Sequence, residues 1–189
     1  MRRLVQQLRQ WRPAVVGLLA LTVVTGLLYT AVVTGIGQLA FPGRANGSLV
    51  TVTLADGTTR TYGSALIGQE FSAPQYLIGR PQGATNWSPT SPEQARLVAQ
   101  RVAWWHAFDP TNTAPIPMDL VTASGSGVDP RITPAAAEYQ VARIAAARGL
   151  TPEAVRAVIA RYTTGRFLGL LGEPTVNVLL VNLALDGRL

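Results

Sequence analysis

The polar chemistry of the chain is concentrated in one short segment, residues 119–130, which reads DLVTASGSGVDP. A strand-like start leads into Ser124, Gly125, Ser126 and Gly127, and Asp129 follows. Glycine allows backbone shapes that expose amide groups, and such amides could hold a carbonyl, a carboxylate or a phosphate. A tight structural turn and a contact surface for a partner are the other two interpretations of the same residues.

Hydrolytic chemistry would need a base beside one of these serines. The single histidine, His106, could act as that base for Ser124 or Ser126. It could equally be a partly exposed histidine near the end of a helix. The nucleophile-elbow pattern G-x-S-x-G is not met, because the serine-centred pentapeptide is Ala-Ser-Gly-Ser-Gly. The sequence therefore predicts no catalytic residue, and a membrane-anchored serine hydrolase stays an alternative.

Several site classes are excluded by composition. The chain has no cysteine, which excludes disulfides, thiolate catalysis and cysteine metal sites. A lone histidine does not make a metal cluster, and we predict no metal site. All 16 basic residues are arginine, so the phosphate-binding pattern G-x-x-x-x-G-K-[ST] cannot be written without lysine.

The net charge of +6 does not indicate a nucleic-acid partner, because of where the charge lies. Four arginines, Arg2, Arg3, Arg9 and Arg12, precede the first apolar segment. From Pro13 onward 12 arginines stand against 10 acidic residues, a net of only +2. That balance is too weak for a surface that tracks phosphates.

A membrane anchor is the strongest signal in the sequence. No charged residue occurs between Arg12 and Arg44, and about 20 apolar residues suffice to cross the hydrocarbon core as a helix. A signal peptide is the competing interpretation, but its apolar core would be only about 7–15 residues long. Since the arginines cluster before the helix, the positive-inside rule puts the N-terminus in the cytoplasm. We predict a cytoplasmic segment 1–12, a transmembrane helix 13–41 and an extracytoplasmic domain 42–189.

One face of this helix carries small residues at four-residue spacing. Thr22, Gly26, Thr30 and Thr34 form the stripe. Small residues at that spacing let two helix backbones approach closely in lipid. The stripe therefore predicts contact with another membrane helix, unless the match is chance.

The outer domain alternates strand and helix patterns. Two β-prone runs, 48–54 and 58–62, flank Asp56-Gly57 and predict a hairpin. Residues 63–87 are rich in glycine and proline and predict an ordered loop region. Ser91, Thr133 and Thr151 each precede a proline and predict helix starts, and Gly149 predicts the end of the helix that begins at Thr133. The run 175–185 is almost continuously apolar and predicts a long strand buried on both faces. The fold class is α+β, behind a single transmembrane helix.

Four stretches resemble the C subunit of the bacterial potassium-transporting ATPase, the Kdp complex (KdpC family). They are GSALIGQ at 63–69 with Phe71 and Tyr76 following, Arg80-Pro81, residues 119–150, and the C-terminal pair 173–179 and 182–186. The stretches occur in the family's order, behind the same single anchor. Two departures stand out: the segment after Arg80-Pro81 is shortened to residues 82–92, and Leu77 replaces an aromatic residue.

The resemblance implies a subunit without its own catalytic centre. Its partners would be a channel-like A subunit, a P-type ATPase B subunit and a small membrane subunit in the bacterial cell membrane. The C subunit would assist the use of ATP by the B subunit, as a catalytic chaperone. Thr22, Gly26, Thr30, Thr34, Ser124, Gly125, Ser126, Gly127 and Asp129 are the candidate partner contacts.

ATP is the only cofactor that the resemblance implies, through the partner ATPase subunit. A nucleotide contact is tied in the family to the LIGQ-like stretch, here ending at Gln69. The charge asymmetry puts Gln69 outside the cell, whereas ATP is inside, so the two expectations conflict. A solute-binding domain on the outer surface is a further alternative, which would need a ligand pocket.

Overall fold

The computed structural model describes residues 2–84 and 86–189, with the side chains of residues 2–10 left out. Met1 and Thr85, and the side chains of Arg2, Arg3 and Arg9, therefore lie outside the described residues. The chain divides into two compact units, Met1–Ser48 and Leu49–Leu189. We call these the N-terminal unit and the C-terminal unit.

The N-terminal unit is a helical run. It consists of α1 (Arg2–Leu21), a π-helical stretch (Thr22–Leu28), α2 (Tyr29–Ala40) and the short α3 (Pro42–Ala45). Within it, Trp11–Ala40 is long and apolar enough to cross a membrane. The prediction of one N-terminal apolar helix is confirmed. The wider π-helical turn was not predicted, because its residues are ordinary for an apolar helix.

The C-terminal unit begins with the predicted hairpin. Strands β1 (Leu49–Thr53) and β2 (Thr59–Ser64) pair antiparallel across the Asp56-Gly57 turn. The Asp56 carboxylate accepts from the Thr58 hydroxyl at 2.6 Å and from the Thr58 amide at 2.9 Å. These hydrogen bonds to the charged form lower the pKa of Asp56.

The remaining helices and strands of the C-terminal unit form its main body. The helices are α4 (Pro92–Phe108), a 3₁₀ turn (Met118–Leu120), α5 (Pro134–Glu138), α6 (Val141–Arg148), α7 (Pro152–Arg161) and α8 (Val178–Leu185). Strands β3 (Arg131–Ile132), β4 (Thr163–Thr164) and β5 (Thr175–Asn177) form an antiparallel sheet in the order β3-β5-β4. The α+β class is confirmed.

The three predicted helix starts are confirmed. The hydroxyls of Ser91, Thr133 and Thr151 accept hydrogen bonds of 3.0–3.2 Å from the amides of Gln94, Ala136 and Ala154, as N-caps do. A proline follows each cap, at the first helical position, where its missing N–H costs nothing. The loop prediction for residues 63–87 starts two residues early, since β2 ends at Ser64; beyond Ser64 the described residues of that region contain no helix or strand.

Three predicted elements are wrong. The run 175–185 is not one strand: β5 ends at Asn177, whose side chain caps α8 by accepting from the Leu180 amide at 3.2 Å. The run is buried as expected, but a continuous apolar stretch does not distinguish a strand from a buried helix. The helix expected from Thr133 to Gly149 is broken between α5 and α6. The strand-like DLVTA at 119–123 begins in the 3₁₀ turn instead.

The core gathers side chains from the loop region after β2, the 3₁₀ turn, β3, β5 and helices α4 to α8 of the C-terminal unit. Its largest fully buried members include Trp105 from α4, Ile144 from α6 and Leu77 from the loop region. Trp105 and Tyr139 meet edge to face with ring centroids 5.7 Å apart, a favoured aromatic geometry. Leu77 fills a core position, which accounts for an apolar residue at this departure from the family pattern.

Candidate functional site

The long connection between β2 and α4 is held in place by side chains rather than by strand pairing. The side-chain amide of Asn182 makes two hydrogen bonds to the backbone of Leu77: it accepts from the Leu77 N–H at 2.8 Å and donates to the Leu77 carbonyl at 2.9 Å. The side-chain amide of Gln140 pairs with the backbone of Ile78 in the same way, accepting from its N–H at 2.8 Å and donating to its carbonyl at 2.9 Å. Buried backbone groups must find partners, and here two side-chain amides replace a neighbouring strand. The break between α5 and α6 occurs at Gln140, which makes this bridge.

Two arginines secure the preceding part of the connection. Arg143 is buried and donates to the carbonyls of Pro74 and Tyr76. Burial lowers the pKa of Arg143 to about 10, and the nearby charge of Asp109 opposes that shift. Arg148 donates to the Gln75 carbonyl and pairs with Asp186, each at 2.7 Å. Side chains of α6, α8 and the residue before α6 therefore fix the backbone of the connection from Pro74 to Ile78.

The SGSG turn packs directly on the LIGQ-like stretch. The Gly68 amide donates to the Val128 carbonyl at 2.7 Å, and the Gly83 amide donates to the Gly127 carbonyl at 2.9 Å. Asn177 joins the same region by donating to the Ala65 carbonyl at 2.9 Å. Three of the family-like stretches thus form one continuous structure. We call the contact of residues 68 and 83 with residues 127–128 the glycine clasp.

Glycine is required in the clasp by close backbone approach. Gly127 has φ +72°, and a Cβ there would lie 2.6 Å from the Ala84 nitrogen. A Cβ on Gly68 would lie 2.8 Å from the Asp129 carbonyl oxygen. Both distances are shorter than real Cβ contacts, and both obstacles are backbone. Gly125 differs, because a Cβ there would meet nothing within 4 Å.

The two serines of the turn stabilise the turn itself. Their hydroxyls lie 3.2 Å apart, the Ser124 Oγ accepts from the Asp129 amide, and the Ser126 Oγ accepts from the Val128 amide, each at 3.3 Å. Neither hydroxyl contacts a histidine among the described residues. His106 lies exposed on the last turn of α4. The geometry therefore gives no support to the serine–histidine pairing that a hydrolase would use.

Gln69 lies half-buried beside β2. Its amide nitrogen donates to the Tyr62 carbonyl at 3.2 Å. A Cβ on Gly63 would lie 1.6 Å from that same nitrogen, so the side chain occupies space that only glycine leaves free. The first and last residues of the GS-x-LIGQ pattern are therefore linked in the structure, because the absence of a side chain at Gly63 leaves the space that Gln69 occupies.

A cavity of about 330 Å³ lies beyond Gln69. Its lining residues include Arg80, Arg101 and Trp104. Arg80 forms an ion pair with the buried Asp119, and Arg101 donates to the Val121 carbonyl at 2.9 Å. Burial lowers the pKa of Arg101. The cavity is near the lower limit for a ligand pocket, and both guanidinium groups already have partners, so a solute-binding role stays only a hypothesis.

Metal ligands are not grouped in the part of the chain that the structure describes. No cluster of three or more His, Asp or Glu there could hold a metal ion. Asp119, the most buried carboxylate of this region, accepts from the Thr133 amide and pairs with Arg80. Its hydrogen bonds tie the 3₁₀ turn to the start of α5.

The small-residue stripe of the N-terminal helix lies partly in the π-helical stretch. Thr22 and Gly26 are adjacent there, since a Cβ on Gly26 would lie 3.9 Å from the Thr22 methyl carbon. Thr30 and Thr34 follow in α2, and all four residues are exposed. The Thr22 hydroxyl donates to the Leu18 carbonyl at 2.8 Å. The stripe is therefore open to a partner helix, and its role stays a prediction.

Sequence reasoning missed the side-chain amides that organise the connection. Asn177, Asn182 and Gln140 are polar residues within apolar stretches, and that is the signal that could have identified them. A buried side-chain amide in such a run needs hydrogen-bond partners. The loop region after β2 can provide them, because the backbone groups described there are not paired in a helix or a sheet. The local sequence does not show which loop residue pairs with which side-chain amide.

Comparison with known proteins gives consistent matches over nearly the whole chain. Residues 11–187 match the family model described as K+-transporting ATPase, c chain. A potassium-transporting ATPase KdpC subunit of Listeria monocytogenes serovar 1/2a is 59% identical over 179 residues, covering 93% of this chain and 94% of the relative. KdpC subunits of Sorangium cellulosum and Herpetosiphon aurantiacus are 53% and 47% identical, each over 93% of this chain and over 96% and 95% of their own lengths.

Proposed function

Because the chain belongs to the KdpC family, the C chains of the K+-transporting ATPase, we propose that it stabilises the assembled transporter and assists ATP use without catalysing a reaction itself. Membership makes it a subunit of a potassium-transporting ATPase. The proposed partners are the channel-like A subunit, the P-type ATPase B subunit and the small membrane subunit.

One observation carries the proposal: the family match covers nearly the whole chain, and hydrogen bonds join the matched stretches of the C-terminal unit into one structure. The match runs from the apolar helix to residue 187. In the C-terminal unit, the glycine clasp and the amide bridges of Gln140 and Asn182 lock its most distinctive stretches together. A surface held this firmly suits docking, because a preorganised partner loses less conformational freedom on binding.

The assistance to ATP use is proposed to be indirect. Gln69 already donates to the Tyr62 carbonyl, and the four N-terminal arginines favour a cytoplasmic N-terminus. The hydrocarbon core of about 30 Å would then separate Gln69 from cytoplasmic ATP. The chain would act on the ATPase subunit through the conformation of the complex.

This function is tested by measuring first the assembly of the transporter and then its ATPase activity. We expect the full-length chain to retain the other subunits when it is purified from mild detergent, and expect the complex formed without it to lose most potassium-stimulated ATPase activity. The loss should be largest at limiting ATP if the chain assists ATP use. Recovery of the chain without any transporter subunit would contradict the proposal.

Orientation gives a separate prediction. Protease added to intact spheroplasts should digest the chain beyond about Arg44, because the positive-inside rule puts the domain outside. A cytoplasmic protein in the same spheroplasts, intact until lysis, is the control. Protection of the domain until lysis would reverse the orientation and would reopen direct contact between Gln69 and ATP.

A further inference from the structure

Arg101, in α4, is a partly buried cation without an acidic partner among the described residues. Its guanidinium donates to the Val121 carbonyl, which is neutral, and it forms none of the ion pairs in that part of the chain. Burial lowers its pKa, and no carboxylate is close enough to oppose that shift. Arg143 differs, because Asp109 compensates part of its burial. A partly buried charge without a partner is unfavourable, so the position of Arg101 favours an incoming anion.

The cavity beside Gln69, which Arg101 lines, indicates how much negative charge that anion carries. Arg80, the other arginine of the lining, is paired with Asp119. Glu70 also lines the cavity, but it is exposed and forms an ion pair with neither arginine. The cavity therefore has one unpaired cation, which a carboxylate matches with its single charge. A phosphate group carries about 1.5–2 negative charges at neutral pH, and the excess would face Glu70.

Much of the remaining lining is apolar, which favours a carboxylate carried on a hydrocarbon stem. Ile78, Trp104 and Leu120 contribute to it. The Trp104 ring is stacked on Phe108 with centroids 4.6 Å apart, so its place beside the cavity is fixed. Trp104 and Arg101 are three residues apart on α4 and therefore lie on one side of the helix. Aspartate and glutamate side chains have the required form, a short hydrocarbon stem that ends in a carboxylate.

A side chain from another protein fits this cavity better than a free solute does. The volume of about 330 Å³ is near the lower limit for a small-molecule pocket, but it is ample for one side chain. Trp104 is 44% exposed, and tryptophan and arginine are the residue types that most often dominate the binding energy of protein interfaces. A surface that covers α4 would remove water from Arg101, and a buried charge without a partner is strongly destabilising. The covering surface must therefore supply an anion.

We propose that another subunit of the potassium-transporting ATPase inserts an aspartate or glutamate side chain into this cavity, where its carboxylate pairs with Arg101. The proposal rests on the proposed function, and it adds a surface through which the C-terminal unit engages the assembly. The Val121 carbonyl takes one N–H of the guanidinium, which leaves enough donors for a bidentate pair with a carboxylate. The glycine clasp is not part of this contact.

The composition of the chain allows the acidic partner to be identified directly. All 16 basic residues are arginine, so Arg101→Lys gives the full-length chain its only lysine side chain. Arg96→Lys, at an exposed residue of the same helix, is the matched control. A carbodiimide activates carboxylates, and a lysine amine in contact with one then forms an amide. In the purified complex, mass spectrometry should find residue 101 joined to an aspartate or glutamate of another subunit, and residue 96 not joined.

Dissociation rates measure what the pair contributes. Arg101→Gln should speed the dissociation of this chain from the complex in detergent by about tenfold or more, because the partner's carboxylate would remain buried and unpaired. Arg96→Gln should change the rate by less than about twofold, since an exposed charge contributes little. The unfolding midpoints of both variants are measured on the chain alone. If a loss of stability there accounts for the faster dissociation, Arg101 serves the fold and the proposal is overturned.

The remaining outcomes separate the alternatives. A cross-link from residue 101 to Glu70 alone would mean that the chain pairs this cation itself, and a cross-link between two copies without other subunits would indicate self-association; either overturns the proposal. Identical cross-links from residues 96 and 101, or equal dissociation of the two glutamine variants, also overturn it. If Arg101→Lys assembles poorly, the dissociation rates of the glutamine variants decide.

Failure of the proposed function is distinguishable from failure of this inference. If the unmodified chain recovers no other subunit, the proposed function has failed. If the unmodified complex assembles and residue 101 joins no acidic residue of another subunit, only the pairing of Arg101 has failed.

Discussion

Gly127→Val is expected to remove most of this chain from the purified complex, whereas Ser124→Ala and Ser126→Ala are expected to leave recovery and potassium-dependent ATPase activity largely intact. The reason is backbone geometry at the glycine clasp. A Cβ at residue 127 would lie 2.6 Å from the Ala84 nitrogen and 2.8 Å from the Gly83 carbonyl carbon. Neither atom is the end of a flexible side chain, so the clasp would have to open.

The expected loss can be approximated from two contributions. A left-handed conformation costs a non-glycine residue about 1–2 kcal/mol, and φ at Gly127 is +72°. Overpacking of a closely packed site costs about 1–3 kcal/mol more. A destabilisation of about 3 kcal/mol is a large share of the stability of a domain. The hydrogen bond from the Gly83 amide to the Gly127 carbonyl would be lost with the clasp.

Gly125→Val is the matched control, two residues away in the same turn. A Cβ there meets nothing within 4 Å, and its φ lies outside the left-handed range. We therefore expect near-normal recovery of the complex. The four variants are compared by the amount of this chain recovered with the other subunits and by ATPase rate per assembled complex.

Two results would contradict this account. If either alanine variant assembled normally yet lost nearly all activity, the serine would have a chemical role, and the non-catalytic assignment would be wrong. If Gly125→Val and Gly127→Val were recovered equally well, the close approach to Gly83 and Ala84 would not limit folding.

Local chemistry explains which elements were predictable from the sequence. Ser91, Thr133 and Thr151 define helix starts because an N-cap hydroxyl acts on an amide only three residues away. The hairpin was predictable for the same reason, since the Asp56-Gly57 turn determines how its flanking strands meet. Gly149, with φ +65°, ends α6 as the predicted C-terminal glycine. Each of these signals is contained within a few residues.

Long-range contacts explain the elements that were mispredicted. The chain turns from β5 into α8 at Asn177, which caps the helix and also donates to the Ala65 carbonyl, 112 residues earlier in the chain. The break between α5 and α6 accompanies the bridge from Gln140 to Ile78. Apolar periodicity does not contain either contact. The glycine clasp was foreseen only in part. The two glycines of the SGSG turn indicated special backbone shapes at both Gly125 and Gly127, but only Gly127 has one, and the sequence did not show that Gly83 and Ala84 impose it.

Asn182→Leu is expected to destabilise the C-terminal unit by about 2–6 kcal/mol, although leucine suits the surrounding apolar core. The substitution removes both hydrogen bonds to Leu77, whose side chain is fully buried. Each buried group left without a partner costs about 1–3 kcal/mol, and both the N–H and the carbonyl of Leu77 would be affected. The connection has no strand beside Leu77 to replace them.

The measurement is chemical unfolding of the full-length protein in detergent, followed by tryptophan fluorescence, because Trp105 lies in the core. Gln100→Leu is the matched control: it makes the same kind of change, from amide to leucine, on the exposed face of α4, where substitutions usually change stability by less than about 0.5 kcal/mol. Gln140→Leu should resemble Asn182→Leu, since it leaves Ile78 unpaired in the same way. If Asn182→Leu were no more destabilising than Gln100→Leu, the connection between β2 and α4 would be held by apolar packing of Leu77 alone, and the amide bridges would not be what holds Leu77 and Ile78 in place.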